Sequence, residues 1–375
     1  MIYFDNAATT WPKPGRVINA VCECMQHSAA NPGRGGYKMA IDAGEKVFEC
    51  RQQVADLFGI DNPCNVVFTF NATHALNLVI GGILEDGDHV ICTQMDHNSC
   101  LRPLYNTNKT IEVSVADANE NGTIDPQKIE SLIKSNTKLI VMTHVSNVCG
   151  TIEPVKEVGK IAKKHSVLFL LDASQSAGII DINMTRDNIN FLAAPGHKAL
   201  YGPMGTGVLC INSKIMPKPI IFGGTGSNSQ EVIQPSEMPD CLESGTLNLP
   251  GICGLSAGID FISTLGIKNI FKHEINLTKI FLNGISDLKN YKVIGKNTTL
   301  GRCGVISVIH RDIPSVELSN RLNSSYNIAT RAMYHCAYPS HVALDTQNHG
   351  TLRISFGIFN TIGQVKTLLY ALEHI

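Results

Sequence analysis

The sequence predicts an α/β protein built on a largely parallel sheet, with a smaller α+β part towards its C-terminal end. Three observations carry this prediction. Short, continuously apolar or β-branched runs recur along the first two thirds of the chain; helical or turn-rich segments separate them; and beyond Leu255 the pattern changes to helix, strand, helix, loop, strand and helix. Continuous rather than alternating apolar runs are what strands covered on both faces require. At 375 residues the chain exceeds one small core and suits two packed domains.

From the N-terminus, the stretch Pro14 to His27 has helical spacing, with Val17, Ile18, Val21 and Met25 on one face. A Gly-rich break, Asn31-Pro-Gly-Arg-Gly-Gly, precedes a second helical period from Met39 to Phe58. Val66-Val-Phe-Thr-Phe reads as a buried strand running into a helix that starts near Thr73. Further strands are predicted at Val90-Ile-Cys-Thr, Ile111-Glu-Val-Ser, Leu139-Ile-Val-Met-Thr, Val167-Leu-Phe-Leu-Leu-Asp and Gly207-Val-Leu-Cys-Ile. Gly223-Gly-Thr-Gly-Ser-Asn-Ser is a loop without period and lacks the G-x-G-x-x-G spacing of a nucleotide loop. In the last third, strands are predicted at Val305 to Ile309 and Arg353 to Phe356, with a loop around Tyr334 to Gln347.

Composition narrows the function classes. The chain is 43% apolar and 17% charged, with 31 basic against 32 acidic side chains, so it shows no electrostatic footprint for nucleic acid or an anionic membrane. No apolar run approaches bilayer length, and the opening Met1-Ile-Tyr-Phe-Asp-Asn lacks the layout of an export signal; the expected location is the cytoplasm. The 12 cysteines are scattered with no C-x-x-C pair, which predicts reduced thiols and no metal site, with Cys50, Cys92 and Cys210 as small core residues.

Ligands of parallel α/β sheets bind beyond the carboxyl ends of the strands, so polar residues just after the apolar runs are the candidates. Asn147 follows the Leu139 run, Asp172 closes the Val167 run, and Lys198 follows Phe191-Leu-Ala within Ala194-Pro-Gly-His-Lys. An aspartate ending a strand is more often a helix cap or turn residue. Taken together the three residues suggest more. A pyridoxal cofactor requires a lysine for a Schiff base, a carboxylate to keep its ring nitrogen protonated, and a phosphate cradle. Lys198, Asp172 and the segment Asn71-Ala-Thr-His supply these types; Ala72 and Thr73 lie at a strand-to-helix junction where N–H groups and the helix dipole attract phosphate.

These residues resemble the class V aminotransferases and, within them, the cysteine desulfurases and selenocysteine lyases. The resemblance rests on Tyr3-Phe-Asp-Asn-Ala-Ala-Thr-Thr, Asn31-Pro-Gly-Arg-Gly, Phe68-Thr-Phe-Asn-Ala-Thr, Asp96-His, Val145-Ser-Asn-Val-Cys-Gly-Thr, Asp172-Ala-Ser-Gln, Gly196-His-Lys-Ala-Leu-Tyr-Gly-Pro, Glu243-Ser-Gly-Thr, Arg331-Ala-Met-Tyr-His-Cys-Ala and Arg353 through Asn360-Thr, in family order. It implies the fold of type I pyridoxal-phosphate enzymes, with a mainly parallel seven-stranded sheet in a large domain (15–254) and a small domain (1–14 and 255–375) carrying a cysteine loop. It also implies roles. Lys198 holds pyridoxal 5'-phosphate and moves the substrate Cα proton, Asp172 faces the pyridine nitrogen, and His97 stacks on the ring and shuttles protons, titrating near neutrality. Gln175 and Asn147 contact the ring oxygen or the substrate. Thr73 and His197 bind phosphate, and Thr246 completes that site across a homodimer interface. Arg353 takes the substrate carboxylate. Pro195 departs from the family, where a serine often precedes Gly-His-Lys; proline brings neither hydroxyl nor N–H.

Cys336 separates the chemistries. It lies in Thr330-Arg-Ala-Met-Tyr-His-Cys-Ala-Tyr-Pro, a segment without strand or helix period, where His335 and Arg331 are expected to favour the thiolate and to lie at the substrate. The spacing is similar to the desulfurase branch with a short, ordered cysteine loop. The expected reaction converts L-cysteine to L-alanine and leaves a persulfide on Cys336 for an acceptor protein or reductant. The alternatives are a selenocysteine lyase acting on L-selenocysteine and an aminotransferase of the serine or alanine–glyoxylate type, in which Cys336 has no role. A non-enzymatic scaffold would be expected to have lost the lysine or the acid, and both are present.

Overall fold

The computed structural model describes residues 1–33 and 35–375, so Arg34 of the Asn31-Pro-Gly-Arg-Gly segment lies outside the described residues. Thirteen strands follow in chain order among them. The first is β1 (Ile2–Tyr3), followed by β2 (Val66–Thr69), β3 (His89–Thr93), β4 (Glu112–Ala116), β5 (Thr137–Thr143), β6 (Leu168–Asp172), β7 (Phe191–Pro195) and β8 (Gly207–Ile211). The last third holds β9 (Tyr291–Ile294), β10 (Val305–His310), β11 (Ile328–Ala329), β12 (Arg331–Met333) and β13 (Thr351–Ser355).

A seven-stranded sheet runs in the order β2-β8-β7-β6-β5-β3-β4. Its strands from β7 to β4 are mutually parallel, and β8 runs antiparallel to both β7 and β2. The continuous apolar runs divide with the period of two that a pleated strand imposes. Val66, Phe68, Ile91, Ile140, Met142, Phe169 and Leu171 enter one core, while Val67, Val90, Cys92, Leu139, Val141, Leu168 and Leu170 enter another on the opposite face. Burial on both faces is why these runs do not alternate in the sequence.

The remaining strands form a four-stranded antiparallel sheet, β12-β13-β10-β9, and a parallel pair, β1-β11. A third core, from Phe4 to Leu372, packs this sheet against the helices Ile267–Ile285, Ser315–Tyr326 and Ile362–Glu373. The predicted boundary at 254/255 falls inside the helix Leu249–Leu265, whose Leu249, Ile252, Leu255, Ile259 and Ile262 all join the large-sheet core. Gly266, at φ +80°, ends that helix and turns the chain into the next.

Two predictions are corrected. Tyr334 to Gln347 is not a continuous loop, because Tyr338–Ala343 forms a short helix with Pro339 in its first turn, where a missing N–H costs nothing. The strand β9, unmarked in the sequence reading, pairs with β10 at the sheet edge. Among the described residues no single helix is long and apolar enough to cross a membrane, and all 12 cysteines are free.

Candidate active site

The strand β7 is buried throughout and delivers Gly196-His197-Lys198 beyond its carboxyl end. Gly196 N–H donates to Thr206 O at 2.8 Å and Gly202 N–H to Gly196 O at 2.8 Å, closing a tight turn. A Cβ at Gly196 would stand 2.1 Å from Thr206 Oγ1, so glycine is required there. Burial pushes the Lys198 amine down from 10.5 to about 8; Asp172 opposes the shift, and Arg353 and Arg331 add to it. A substantial share of this amine is therefore neutral near pH 8, as a nucleophile needs.

A cavity of about 180 Å³ at this strand end gathers eight expected residues: Ala72, Thr73, His97, Asn147, Asp172, Gln175, His197 and Lys198. Asp172 ends β6, one strand from the lysine; its Oδ1 accepts from Ser174 N–H at 2.9 Å and its Oδ2 from the Cys100 thiol at 3.7 Å. Burial raises the Cys100 thiol well above its ordinary value, so it stays a donor to Asp172. Gln175 lines the cavity while its Nε2 donates to Ala7 O at 2.9 Å, tying the N-terminal segment to the site.

His97 caps the helix Asn98–Tyr105, its Nδ1 accepting from Ser99 N–H at 3.0 Å. The neutral ring therefore carries its proton on Nε2. The expected near-neutral titration is not what this ring does: burial, then the cations Lys198, Arg331 and Arg353 against the opposing Asp172, push it down to about 4. Ser99 and Cys100, which the sequence reading passed over, both support site residues. The signal was their place in the first turn of a helix capped by His97, shortly after β3.

Beside this helix, Asn71 rather than Thr73 caps the helix Ala72–Ile83, its side chain accepting from His74 N–H at 2.9 Å. Thr73 lies inside the first turn, its hydroxyl 2.8 Å from that of Ser99. First-turn N–H groups lack intrahelical partners and suit an anion. His197 adds a buried Nδ1 with no hydrogen-bond partner. Its ring is held neutral, pushed down to about 4 by burial and then by Lys198 and Lys13.

Cys336 sits on an exposed turn after β12, in which Met333, His335 and Cys336 adopt φ of +82°, +50° and +59°. Each left-handed non-glycine residue costs roughly 1–2 kcal/mol, so external bonds must hold this turn. Cys336 O accepts from Asn98 N–H at 2.8 Å, and His335 O accepts from the Asn147 side chain at 2.7 Å. Asn147 lines the lysine cavity and Asn98 adjoins His97, so the cysteine turn is bonded to the cavity wall. Arg331 Nη2 lies 3.9 Å from the sulfur. The activating role expected of His335 is corrected: its ring is buried, bonds Thr351 Oγ1 at 2.9 Å and is pushed down to about 2 by burial and neighbouring cations, so it brings no positive charge to the thiol.

Arg353, on β13 opposite Arg331, is fully buried. It pairs with Asp5 at 2.8 Å, donates to Asn147 O at 3.1 Å, and leaves a buried Nε without a partner. Thr246 is exposed and lies outside the cavity. The assembly thus offers a weakly basic amine, a carboxylate, an anion cradle and an exposed thiol at one wall.

The family model for class-V aminotransferases matches residues 2–368. The probable cysteine desulfurase of Pyrococcus abyssi is 34% identical over 385 residues, covering all of this chain and 94% of the relative. That of Methanothermobacter thermautotrophicus is 33% identical over 382 residues, with the same coverage. Among solved structures, the apo cysteine desulfurase of Thermococcus onnurineus NA1 superposes with a TM-score of 0.94 at 33% identity, covering all of this chain and 94% of that one. Fold, strand-end lysine and full-length similarity agree: the chain belongs to the class-V aminotransferase family and, within it, to the group of the cysteine desulfurases.

Proposed function

We propose that this protein is a pyridoxal-phosphate-dependent cysteine desulfurase that converts L-cysteine to L-alanine and takes the sulfur onto Cys336. The observation that carries the reading is the bonding of the Cys336 turn, through Asn98 and Asn147, to the wall of the Lys198 cavity.

The residues present fit the cofactor: the orphaned His197 Nδ1 and the first turn at Ala72 and Thr73 suit its phosphate, and Asp172 suits its ring nitrogen. When bound, pyridoxal phosphate supplies a ring that withdraws electrons from the substrate Cα. Lys198, with its weakly held proton, anchors the cofactor and moves the Cα proton. His97, which lines the cavity with its proton on Nε2, would stack on the ring and pass protons to the substrate, and Arg353 with its unpartnered Nε would receive the substrate carboxylate. The Cys336 thiolate attacks the substrate sulfur, so that an S–S bond forms as the Cβ–S bond breaks; Cβ gains a proton, alanine leaves and Cys336 keeps the persulfide. Arg331, with Nη2 3.9 Å from the Cys336 sulfur, helps to place that sulfur for attack. An acceptor protein or reductant then takes the sulfur.

We read the assembly as a homodimer in which Thr246 serves the partner's phosphate site; in support, Thr246 lies in a segment that also exposes Phe222, Val232 and Ile233. Two domains are proposed to meet at Gly266 rather than at 254/255. The test is an absorbance scan for a Schiff-base band, then addition of L-cysteine with alanine and sulfide measured together. Equal yields in the wild type, and neither product in Cys336→Ala with its band intact, are expected. Transamination unaffected by Cys336→Ala, with no sulfide from the wild type, would establish the aminotransferase alternative instead.

A further inference from the structure

The strained turn that presents Cys336 is closed by a buried chain of side-chain bonds that the reaction itself does not use. Ser307 Oγ, on β10, donates to Val148 O at 2.6 Å, and Thr351 Oγ1, on β13, donates to Ser307 Oγ at 2.9 Å. A hydroxyl has one proton to give, so both are spent, and Thr351 Oγ1 can only accept from the third partner, His335 Nε2, at 2.9 Å. That direction fixes the His335 tautomer: the proton is on Nε2, and Nδ1, which is buried and has no partner, carries the lone pair. Ser307 and Thr351 are wholly buried and His335 nearly so.

The chain begins and ends on the same two turns. Val148 follows Asn147, and the Asn147 side chain donates to His335 O at 2.7 Å, so the bonds form a closed circuit from the Asn147 turn through β10 and β13 to the cysteine turn and back. Both ends are packed without slack. A Cβ on Gly150 would meet Val305 O at 2.2 Å, and one on Gly350 would meet Met333 Cα at 2.7 Å. The left-handed residues Met333, His335 and Cys336 are thus flanked on one side by Gly350 and on the other by this circuit.

We propose that Thr351 and Ser307 are positioning residues for sulfur transfer: through the neutral His335 ring they hold the cysteine turn in its left-handed form, locked to the turn that carries Asn147. Neither lines the Lys198 cavity. The proposal rests on Cys336 being the sulfur acceptor, but its structural half can be read without any turnover.

Two measurements test it. Imidazole nitrogen NMR of histidine-labelled protein at pH 7 is expected to report His335 as the neutral Nε2–H form; an Nδ1–H form or a charged ring overturns the circuit whatever the enzyme catalyses. Hydrogen exchange is then followed at the Ala337 amide, which bonds Tyr334 O across the turn at 2.9 Å. Thr351→Val and, separately, Ser307→Ala are expected to speed that exchange at least tenfold and to lower alanine formation at least tenfold. The Schiff-base band is expected to hold and the melting temperature to fall by no more than a few degrees, and Thr351→Ser is expected to restore both lost quantities. Wild-type exchange and rate in both variants, or failure of the serine to rescue a folded protein, overturns the proposal. Were the wild type to form no alanine from cysteine, the functional reading would fail while the tautomer and exchange results still judged the circuit.

Discussion

Lys198 stands at the buried end of a parallel strand, in a turn closed by backbone bonds and a required glycine, whereas Cys336 stands on an exposed turn after a strand of three residues, itself one of three left-handed non-glycine residues there. Burial explains the contrast, because it disfavours whichever form is charged. For an amine the neutral form is the nucleophile, and burial brings Lys198 down to about 8. For a thiol the anion is the nucleophile, and burial works against it. The core cysteines show this directly: Cys303 is pushed up to about 12, and Cys50, Cys92 and Cys210 further still. A protein that needs both nucleophiles over one cavity must bury one and expose the other, holding the exposed one by backbone geometry and a nearby guanidinium.

The largest expected effect separates the two ends. Lys198→Ala should abolish the Schiff-base band and lower alanine formation by about 10³-fold or more, the scale of a lost covalent anchor and proton carrier. Cys336→Ala should keep the band and lose both alanine and sulfide formation. If both variants lost the band, the two ends would not be separable as described.

Next in size is the pH dependence of the amine. In cofactor-free protein, aldehyde or trinitrobenzenesulfonate labelling of Lys198 should rise about tenfold per pH unit and level off above about pH 8, where an ordinary lysine would keep rising towards 10.5. Asp172→Asn should move the midpoint lower still, because Asp172 is the group that opposes the downward shift. A smaller effect is expected at the thiol: Arg331→Gln, which removes the guanidinium 3.9 Å from the sulfur, should slow alanine formation from L-cysteine by roughly three- to tenfold with the Schiff-base band kept. No change there would leave the turn's geometry as the sole device favouring the cysteine.

The same contrast governs how much was legible in the sequence. The lysine end was readable because its elements are long, continuous apolar runs, and residues at their carboxyl ends fall together in any parallel sheet; hence Asn147, Asp172 and Lys198 could be picked out before any geometry. The cysteine end was not. The strand β12 is too short for a period to show, the helix Tyr338–Ala343 has six residues, and β9 is an edge strand. Adjacency of His335 to Cys336 suggested activation, but sequence gives neighbours without direction: at φ +50° the ring turns inward to Thr351 and its burial removes the charge. The cap of the helix after β2 was not legible either, since Asn71 and Thr73 are both capping types and only the observed bond to His74 N–H decides between them.

The smallest effect expected applies the burial rule to an acid. Glu274, on the helix Ile267–Ile285, is buried beside Gly304 and faces the small cavity behind Lys198; burial pushes its carboxyl up from 4.5 to about 8. Its folded value lies above its unfolded one, so the folded chain holds the proton more tightly. Its contribution to stability is therefore fully present below pH 4.5 and is lost progressively as the pH rises to about 8. Glu274→Gln keeps the neutral form at every pH and removes that loss. The wild type should thus lose stability relative to the variant between pH 5 and pH 8, by about 1 kcal/mol or more, read as a melting-temperature difference that drifts in the variant's favour. Other buried acids such as Asp96 and Glu153 titrate alike in both proteins and cancel in the difference. A difference that stays constant with pH would mean that Glu274 is ionised in the fold, and that burial beside the lysine does not govern charge there as it does at Lys198.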